Sequence, residues 1–388
     1  MLAYLDANAA TPPDERIVSY SDTLNRCIFG NPSNIFSLPG REARDLIDKS
    51  RGAIGHIIGW DDGSIVFTSG CTEANNLLLV SHVLDLSRQG RTAHIVTSSI
   101  EHPSILAPLV RLSDARLCRI TLVPPSANGV VDAGRMIEAL DDTVTLVSLM
   151  SVNNETGAIQ PVWEVSAWCQ RHGIFCHSDI SQALGKVPLH SIISSDLHAV
   201  TFSPHKFHGL RGAGVLAFRS DPIAREPLLV GGHQEAGLRA GTENTVAIAC
   251  AARALEILQS EEEEILRKRK VLGEVLLDVL QELGTHRLWS GPTTTVPGCV
   301  SLSLNGVEAS LLLEKLPDIA FSTGSACAMI DRTPSHVLKA LGATSGEIDG
   351  FIRLSVHRFN TEDEIRLGVQ KIGRTANLVR KASMGIFA

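Results

Sequence analysis

Along most of the chain, short apolar runs rich in β-branched residues alternate with longer stretches of mixed character. Ser64–Thr68, Ala93–Ser98, Cys118–Val123 and Thr145–Met150 read as strands, and Gly173–Ser178 and Leu197–Phe202 continue the series. Near-continuous apolar runs of this kind suit a sheet buried on both faces. Thr72–Gln89 reads as a helix, and helical stretches or turns separate the other runs. This alternation, from about residue 60 to residue 250, predicts an α/β fold with a mostly parallel sheet covered by helices on both sides.

The pattern changes at Thr245–Gly284, a long helical stretch interrupted by Glu261–Glu264 and then Arg267–Lys270. Glu263 with Arg267 and Glu264 with Lys268 are predicted as i,i+4 pairs on a solvated face. Strand-like runs near Val300–Leu304 and Phe351–Val356 predict a second, smaller α/β unit. The expected division is a large domain at 15–255 and a small domain made of 1–14 and 256–388.

The chain has 388 residues, 44% hydrophobic and 20% charged, enough for a large core and more than one domain. The net charge of -7 provides no basic field for nucleic acid or an anionic membrane surface. No basic region followed by an apolar stretch opens the chain, and its apolar runs are too short to span a bilayer. Eight cysteines are scattered without a C-x-x-C pair, which reads as reduced thiols and a cytoplasmic location.

Two of the apolar runs end in complementary groups. One finishes at Asp179, and the next leads into Ser203-Pro204-His205-Lys206. Neighbouring strand ends would present an acid and an amine to one pocket. Pyridoxal phosphate enzymes need that pair: the lysine holds the aldehyde, and the acid keeps the ring nitrogen protonated. A surface lysine and a helix-capping aspartate are the plainer reading of each residue alone.

Ser69-Gly70-Cys71-Thr72 links a strand to a helix, and the free N–H groups of such a start suit a phosphate. Ser203 and His205 are further candidate phosphate donors. Glu101-His102-Pro103-Ser104 offers a histidine at a strand end, and Asn153-Asn154-Glu155-Thr156-Gly157 offers amides at another. Gln182 lies three residues beyond Asp179, within reach of a cofactor ring oxygen. Cys169, His172, Cys176 and His177, and His205 with His208, are soft ligands at spacings unlike those of structural zinc sites, so no metal is expected.

The ordered set Tyr4-Leu5-Asp6, Gly30-Asn31-Pro32-Ser33, Thr68 to Asn76, Glu101-His102-Pro103, Asn153 to Gly157, Asp179, Gln182, His205-Lys206 and Arg239 to Asn244 resembles the cysteine desulfurases, class V members of the fold-type I pyridoxal phosphate enzymes. The resemblance runs from Tyr4 to about Glu364. It implies a large domain with a mostly parallel seven-stranded sheet and a smaller α/β domain. It implies Lys206 as the Schiff-base lysine, Asp179 as the partner of the pyridine nitrogen, and His102 stacked on the ring and carrying protons. Gln182 would bond the ring hydroxyl, and Thr72, Ser203 and His205 would hold the phosphate. Thr242 would reach the phosphate of a neighbouring subunit in a homodimer. Asn154 and Arg353 would bind the carboxylate of L-cysteine, as a fork-shaped guanidinium is suited to do.

Ser322-Thr323-Gly324-Ser325-Ala326-Cys327-Ala328-Met329 is a run of small residues, similar to the long-loop group that donates sulfur to partner proteins. Cys327 is therefore the candidate nucleophile. It would take sulfur from L-cysteine as a persulfide, leave L-alanine, and pass the sulfur to an acceptor protein. Several positions depart from the family pattern: Ala10, Leu210-Arg211-Gly212, Pro204 before His205, and His357. Pro204 puts the Ser203–phosphate contact in doubt. The tail from Asn377 does not resemble the one that docks an iron–sulfur scaffold, which makes tRNA thiolation or sulfur modification of DNA alternatives to iron–sulfur assembly. Selenocysteine lyase or another class V lyase or aminotransferase is the competing activity.

Overall fold

The computed structural model describes residues 3–60, 65–193, 195–219, 226–289, 291, 293–323 and 334–383. The chain enters through a two-residue strand, β1 (Ala3–Tyr4), followed by two helices, α1 (Glu15–Cys27) and α2 (Leu38–Ile57). Asp14 caps α1 by accepting from Arg16 N, and Ser37 caps α2 by accepting from Gly40 N.

Seven strands then build one sheet. They are β2 (Ile65–Thr68), β3 (Ala93–Ser98), β4 (Cys118–Val123), β5 (Leu146–Ser148), β6 (Phe175–Asp179), β7 (Ala199–Phe202) and β8 (Gly214–Phe218). Their spatial order is β2-β8-β7-β6-β5-β3-β4. All neighbours from β7 to β4 are parallel, and β8 runs antiparallel to both β7 and β2. Reversing direction on each side of β8 leaves β2 pointing the same way as β7. Every residue of β2, β3, β5, β7 and β8 is buried, which is why these strands read as continuous apolar runs. The expected mostly parallel sheet is present, with one antiparallel strand inside it.

Helices α3 (Cys71–Arg88), α4 (Pro103–Asp114), α5 (Ala133–Glu138), α6 (Val162–His172) and α7 (Leu189–Ile193) fill the crossovers. α8 (Thr245–Ser260) packs against α1 and α2. The helical pattern then breaks at Glu261, and α9 (Glu262–Asp278) turns toward a different core. Glu261 is held at the break by Arg16 and Arg358. The predicted i,i+4 pairs are replaced by a shorter one: Arg267 grips Glu264 at 2.7 Å, an i,i+3 contact. Because α9 starts at Glu262, both Glu263 and Glu264 sit in its first turn, beside the positive end of the helix.

The second core gathers Leu5, Leu276, Leu302, Leu312, Ile352 and Ile365. Its antiparallel sheet has β10 (Cys299–Leu304) between β9 (His286–Leu288) and β12 (Phe351–Ser355). β1 pairs in parallel with β11 (Ile319–Ala320), and the C-terminal helix Glu362–Ser383 covers α9 and β1. The segment after β1 crosses between the two cores. Ala7 N donates to Ser355 O at 3.0 Å, and Thr11 N donates to His205 O at 2.9 Å. Among the described residues no helix is long and apolar enough to cross a membrane.

The parallel strands bring the ends of β2, β3, β5, β6 and β7 to one edge, the usual place for a ligand in such a sheet. Gly214, at the start of β8, has no room for a side chain there: a Cβ would lie 2.2 Å from the backbone of Gly70. Phe202, fully buried in β7 immediately before Ser203, is predicted to cost about 3–5 kcal/mol of stability when replaced by alanine, as measured by denaturant unfolding.

Candidate active site

A cavity of about 310 Å³ opens at this edge. Gly70, Cys71 and Thr72 line it from the β2–α3 turn, His102 from the turn after β3, and Asn154 from the loop after β5. Asp179 and Gln182 come from the end of β6, and Ser203, His205 and Lys206 from the turn after β7. Arg353 reaches it from β12, and Asn8 from the segment after β1. Nine of the eleven residues expected to form the site are thus brought together. Thr242 is exposed on the surface and does not line the cavity. Cys327 lies outside the described residues.

Asp179 is 8% exposed at the end of β6. Burial pushes its pKa up, but hydrogen bonds outweigh that and hold the carboxyl below its ordinary range. Asn75 Nδ2 donates to Oδ2 at 2.9 Å, and Ser181 N donates to Oδ1 at 2.9 Å. The Cys71 thiol adds a contact to Oδ2 at 3.4 Å. A buried carboxylate held charged in this way suits a protonated pyridine nitrogen.

Lys206 Nζ donates to Ala9 O at 2.8 Å and to Asn8 O at 3.0 Å. Burial, reinforced by the positive charge of Arg353, lowers its pKa to about 8. An amine that sheds its proton this readily suits attack on an aldehyde.

The phosphate end is equally specific. α3 has no side-chain cap, and Cys71 N donates to Ser203 Oγ at 2.7 Å. That bond fixes the turn so that the start of an 18-residue helix meets the cavity beside Thr72 and His205. Pro204 opens a short 3-10 turn and leaves Ser203 in the cavity wall. Burial lowers the His205 pKa to about 4, so its ring is neutral.

His102 caps α4, its Nδ1 accepting from Ser104 N at 3.1 Å, so the neutral ring carries its proton on Nε2. Burial lowers its pKa. Asn75 links this histidine to the acid. One amide proton goes to Asp179 and the other to Ser104 Oγ at 2.9 Å, and Ser104 Oγ stands 2.7 Å from His102 Nδ1. Asn75 is fully buried one turn into α3. Asn75, Ser104 and Asn8 are not among the residues expected from the sequence to form the site. The available signal was the helical spacing that sets Asn75 on the same face as Cys71.

Arg353 is 2% exposed. Its Nη2 pairs with Asp6 at 2.6 Å, its Nη1 donates to the Asn154 carbonyl at 2.7 Å, and its Nε has no partner among the described residues. A small carboxylate would complete it. The segments flanking 324–333 are fastened nearby. Ser322 pairs with the Arg353 backbone, Ser335 Oγ donates to Glu155 at 2.6 Å, and His336 bonds the Glu101 carbonyl at 2.8 Å. Glu101 itself is fully buried, and burial raises its pKa to about 8.

Carboxylate, amine and uncapped helix start fit the pyridine, aldehyde and phosphate of pyridoxal phosphate. No group of three or more metal-ligating side chains gathers among the described residues. His172 stacks on Trp168, and His177 lies between Ser148 and Thr201.

An α/β sheet with these groups at its carboxyl edge defines a pyridoxal phosphate enzyme. The Aminotransferase class-V family matches residues 3–367. A mitochondrial cysteine desulfurase of Arthroderma benhamiae is 34% identical over 381 residues, 98% of this chain and 75% of that protein. Among solved structures, a NifS-like protein superimposes with a TM-score of 0.87 at 32% identity, covering 97% of this chain and 100% of that one. A structure described as SspA in complex with cysteine gives a TM-score of 0.76 at 27% identity, covering 92% and 100%. The chain belongs to the class-V aminotransferase family and, within it, to the pyridoxal phosphate-dependent cysteine desulfurases.

Because Lys206 is charged up to about pH 8 in the fold and to about 10.5 when unfolded, the unfolded chain binds more protons between those values. Stability of the cofactor-free protein should therefore rise from pH 8 to 10.5. Relative to Lys206→Met, the wild-type gain should approach about 3 kcal/mol in pH-dependent unfolding.

Proposed function

We propose that Lys206 carries the cofactor, that Asp179 pairs with its ring nitrogen, and that sulfur leaves L-cysteine as a persulfide on Cys327. The observation that carries this reading is the meeting of Lys206, Asp179, Ser203 and Arg353 around one cavity. The related SspA structure with cysteine supports L-cysteine as the ligand.

Thr72, Ser203, His205 and the start of α3 would grip the phosphate, and Gln182 would bond the ring oxygen. Arg353 and Asn154 would take the substrate carboxylate and fix the Cα–H bond beside Lys206. Bound pyridoxal phosphate supplies an electron sink for the carbanion formed at Cα. Lys206, released when the substrate amine takes its place on the aldehyde, would be the base that removes the Cα proton, as its lowered pKa favours. His102 moves protons near the substrate thiol. The Cys327 thiolate then attacks the substrate sulfur: an S–S bond forms on Cys327, the C–S bond breaks, and alanine leaves after protonation at carbon. The persulfide sulfur passes to an acceptor protein in iron–sulfur assembly, tRNA thiolation or sulfur modification of DNA. The net charge of -7 provides no global basic field for nucleic acid, so a nucleic-acid step would belong to a partner.

We further propose a homodimer in which Thr242 completes the partner's phosphate site. Phe29, Phe36 and Val230 are 78%, 91% and 86% exposed, unusual for such side chains. Their loops adjoin one another, since Gln234 Nε2 donates to Ser33 Oγ at 3.4 Å. The free cysteines among the described residues support a reducing compartment.

Borohydride reduction and peptide mapping should find the cofactor on Lys206, and a label elsewhere would overturn the assignment. Cys327→Ser should retain the cofactor spectrum and lose sulfide release from L-cysteine, falling by at least about 10³-fold. Phe36→Glu should shift the mass seen by light scattering from dimer toward monomer and weaken cofactor binding in parallel.

A further inference from the structure

Lys186 lies in the turn after β6, is only 4% exposed, and has no carboxylate partner among the described residues. Its Nζ donates to two neutral oxygens, Asn8 Oδ1 at 3.0 Å and Gln182 Oε1. Burial pushes its pKa well below the ordinary range. These two oxygens take two of the N–H donors of Lys186.

The neighbouring amides can face only one way. Asn8 Nδ2 donates to Asn154 O and to Cys299 Sγ, both at 3.3 Å, so Asn8 Oδ1 is left for Lys186. A reversed Gln182 would set its Oε1 against the Asn8 carbonyl oxygen, acceptor against acceptor. With Oε1 toward Lys186, Gln182 Nε2 donates to Asn8 O at 2.8 Å and keeps a second proton. Gln182 lines the cavity, so this proton is its polar contribution there. Asn8 O also receives Lys206 Nζ at 3.0 Å.

We propose that Lys186 is a positioning residue, which presents Gln182 to the cavity as a donor for the ring oxygen of pyridoxal phosphate and, through Asn8, steadies the carbonyl that receives Lys206. This rests on the cofactor placement proposed above. A hydrogen bond donated to the ring oxygen stabilises negative charge there. That stabilisation is greatest once the nitrogen joined to Lys206 has lost its proton, so the visible band of the bound cofactor titrates at lower pH. The groups facing Lys186 are Arg269, Lys206, Cys299 and Arg353, and those facing Lys206 include Arg353, Asp179, Cys71 and Asp6. The variants below leave all of these in place except Lys186 itself.

The test compares wild type, Lys186→Met, Gln182→Leu and the double variant, each reconstituted with pyridoxal phosphate. It reads the cofactor Kd, the pH midpoint of the visible band, and borohydride labelling of Lys206. Each single variant should weaken the Kd by about tenfold and raise the midpoint, and the double variant should go no further than either. An unchanged Kd and midpoint in Lys186→Met, or effects that add in the double variant, would overturn the proposal. Absence of label at Lys206 in wild type would instead defeat the cofactor placement, and the proposal with it. Should Lys186→Met not fold, wild type alone decides: the Gln182 side-chain amide protons, identified by their loss in Gln182→Leu, should move downfield on cofactor binding. Unmoved protons would count against the donor role.

Discussion

The site depends on keeping one carboxylate charged where water hardly reaches it. Burial alone would protonate Asp179 and remove the reason for a cofactor nitrogen to stay positive. Two N–H donors prevent this, one from the backbone of Ser181 and one from the amide of Asn75. Asn75 has a second proton, which it spends on Ser104 and so on the ring of His102. The group that would anchor the electron sink and the histidine that would cover it are therefore oriented by a single buried amide.

That amide can serve both because of where α3 starts. Ser203, at the end of β7, takes the first N–H of the helix and sets its register against the sheet. The same turn holds the uncapped helix end that faces the cavity, and the close approach of Gly214 to Gly70 leaves no space for it to move outward. Phosphate grip and acid orientation are two consequences of one packing contact.

The second core contributes in a different way. Arg353 and Asn8 arrive from a small sheet and from a crossing N-terminal segment, not from the large sheet. Arg353 is pinned by Asp6 and by the Asn154 carbonyl, so residues far apart in the chain hold one guanidinium. The segments flanking Cys327 are tied to Arg353, Glu155 and Glu101, next to the residues that would bind and cover the substrate.

Taken alone, the chain was enough for the strand ends and the groups they carry, because a strand buried on both faces writes itself as an apolar run and stops at the polar residue beyond. Asp179, Lys206, His102 and the Gly70 turn were legible for that reason. Asn75, Ser104, Asn8 and Lys186 were not, since a buried polar residue acquires its role from the partners that desolvation forces on it, and those lie up to 291 residues away in the chain. The interruption at Glu261 was legible as a run of acids, but the Arg267–Glu264 pair was decided in three dimensions, by where α9 starts. Periodicity reports which face of an element is buried, but only the assembled fold determines which polar groups are shut in together and must satisfy one another.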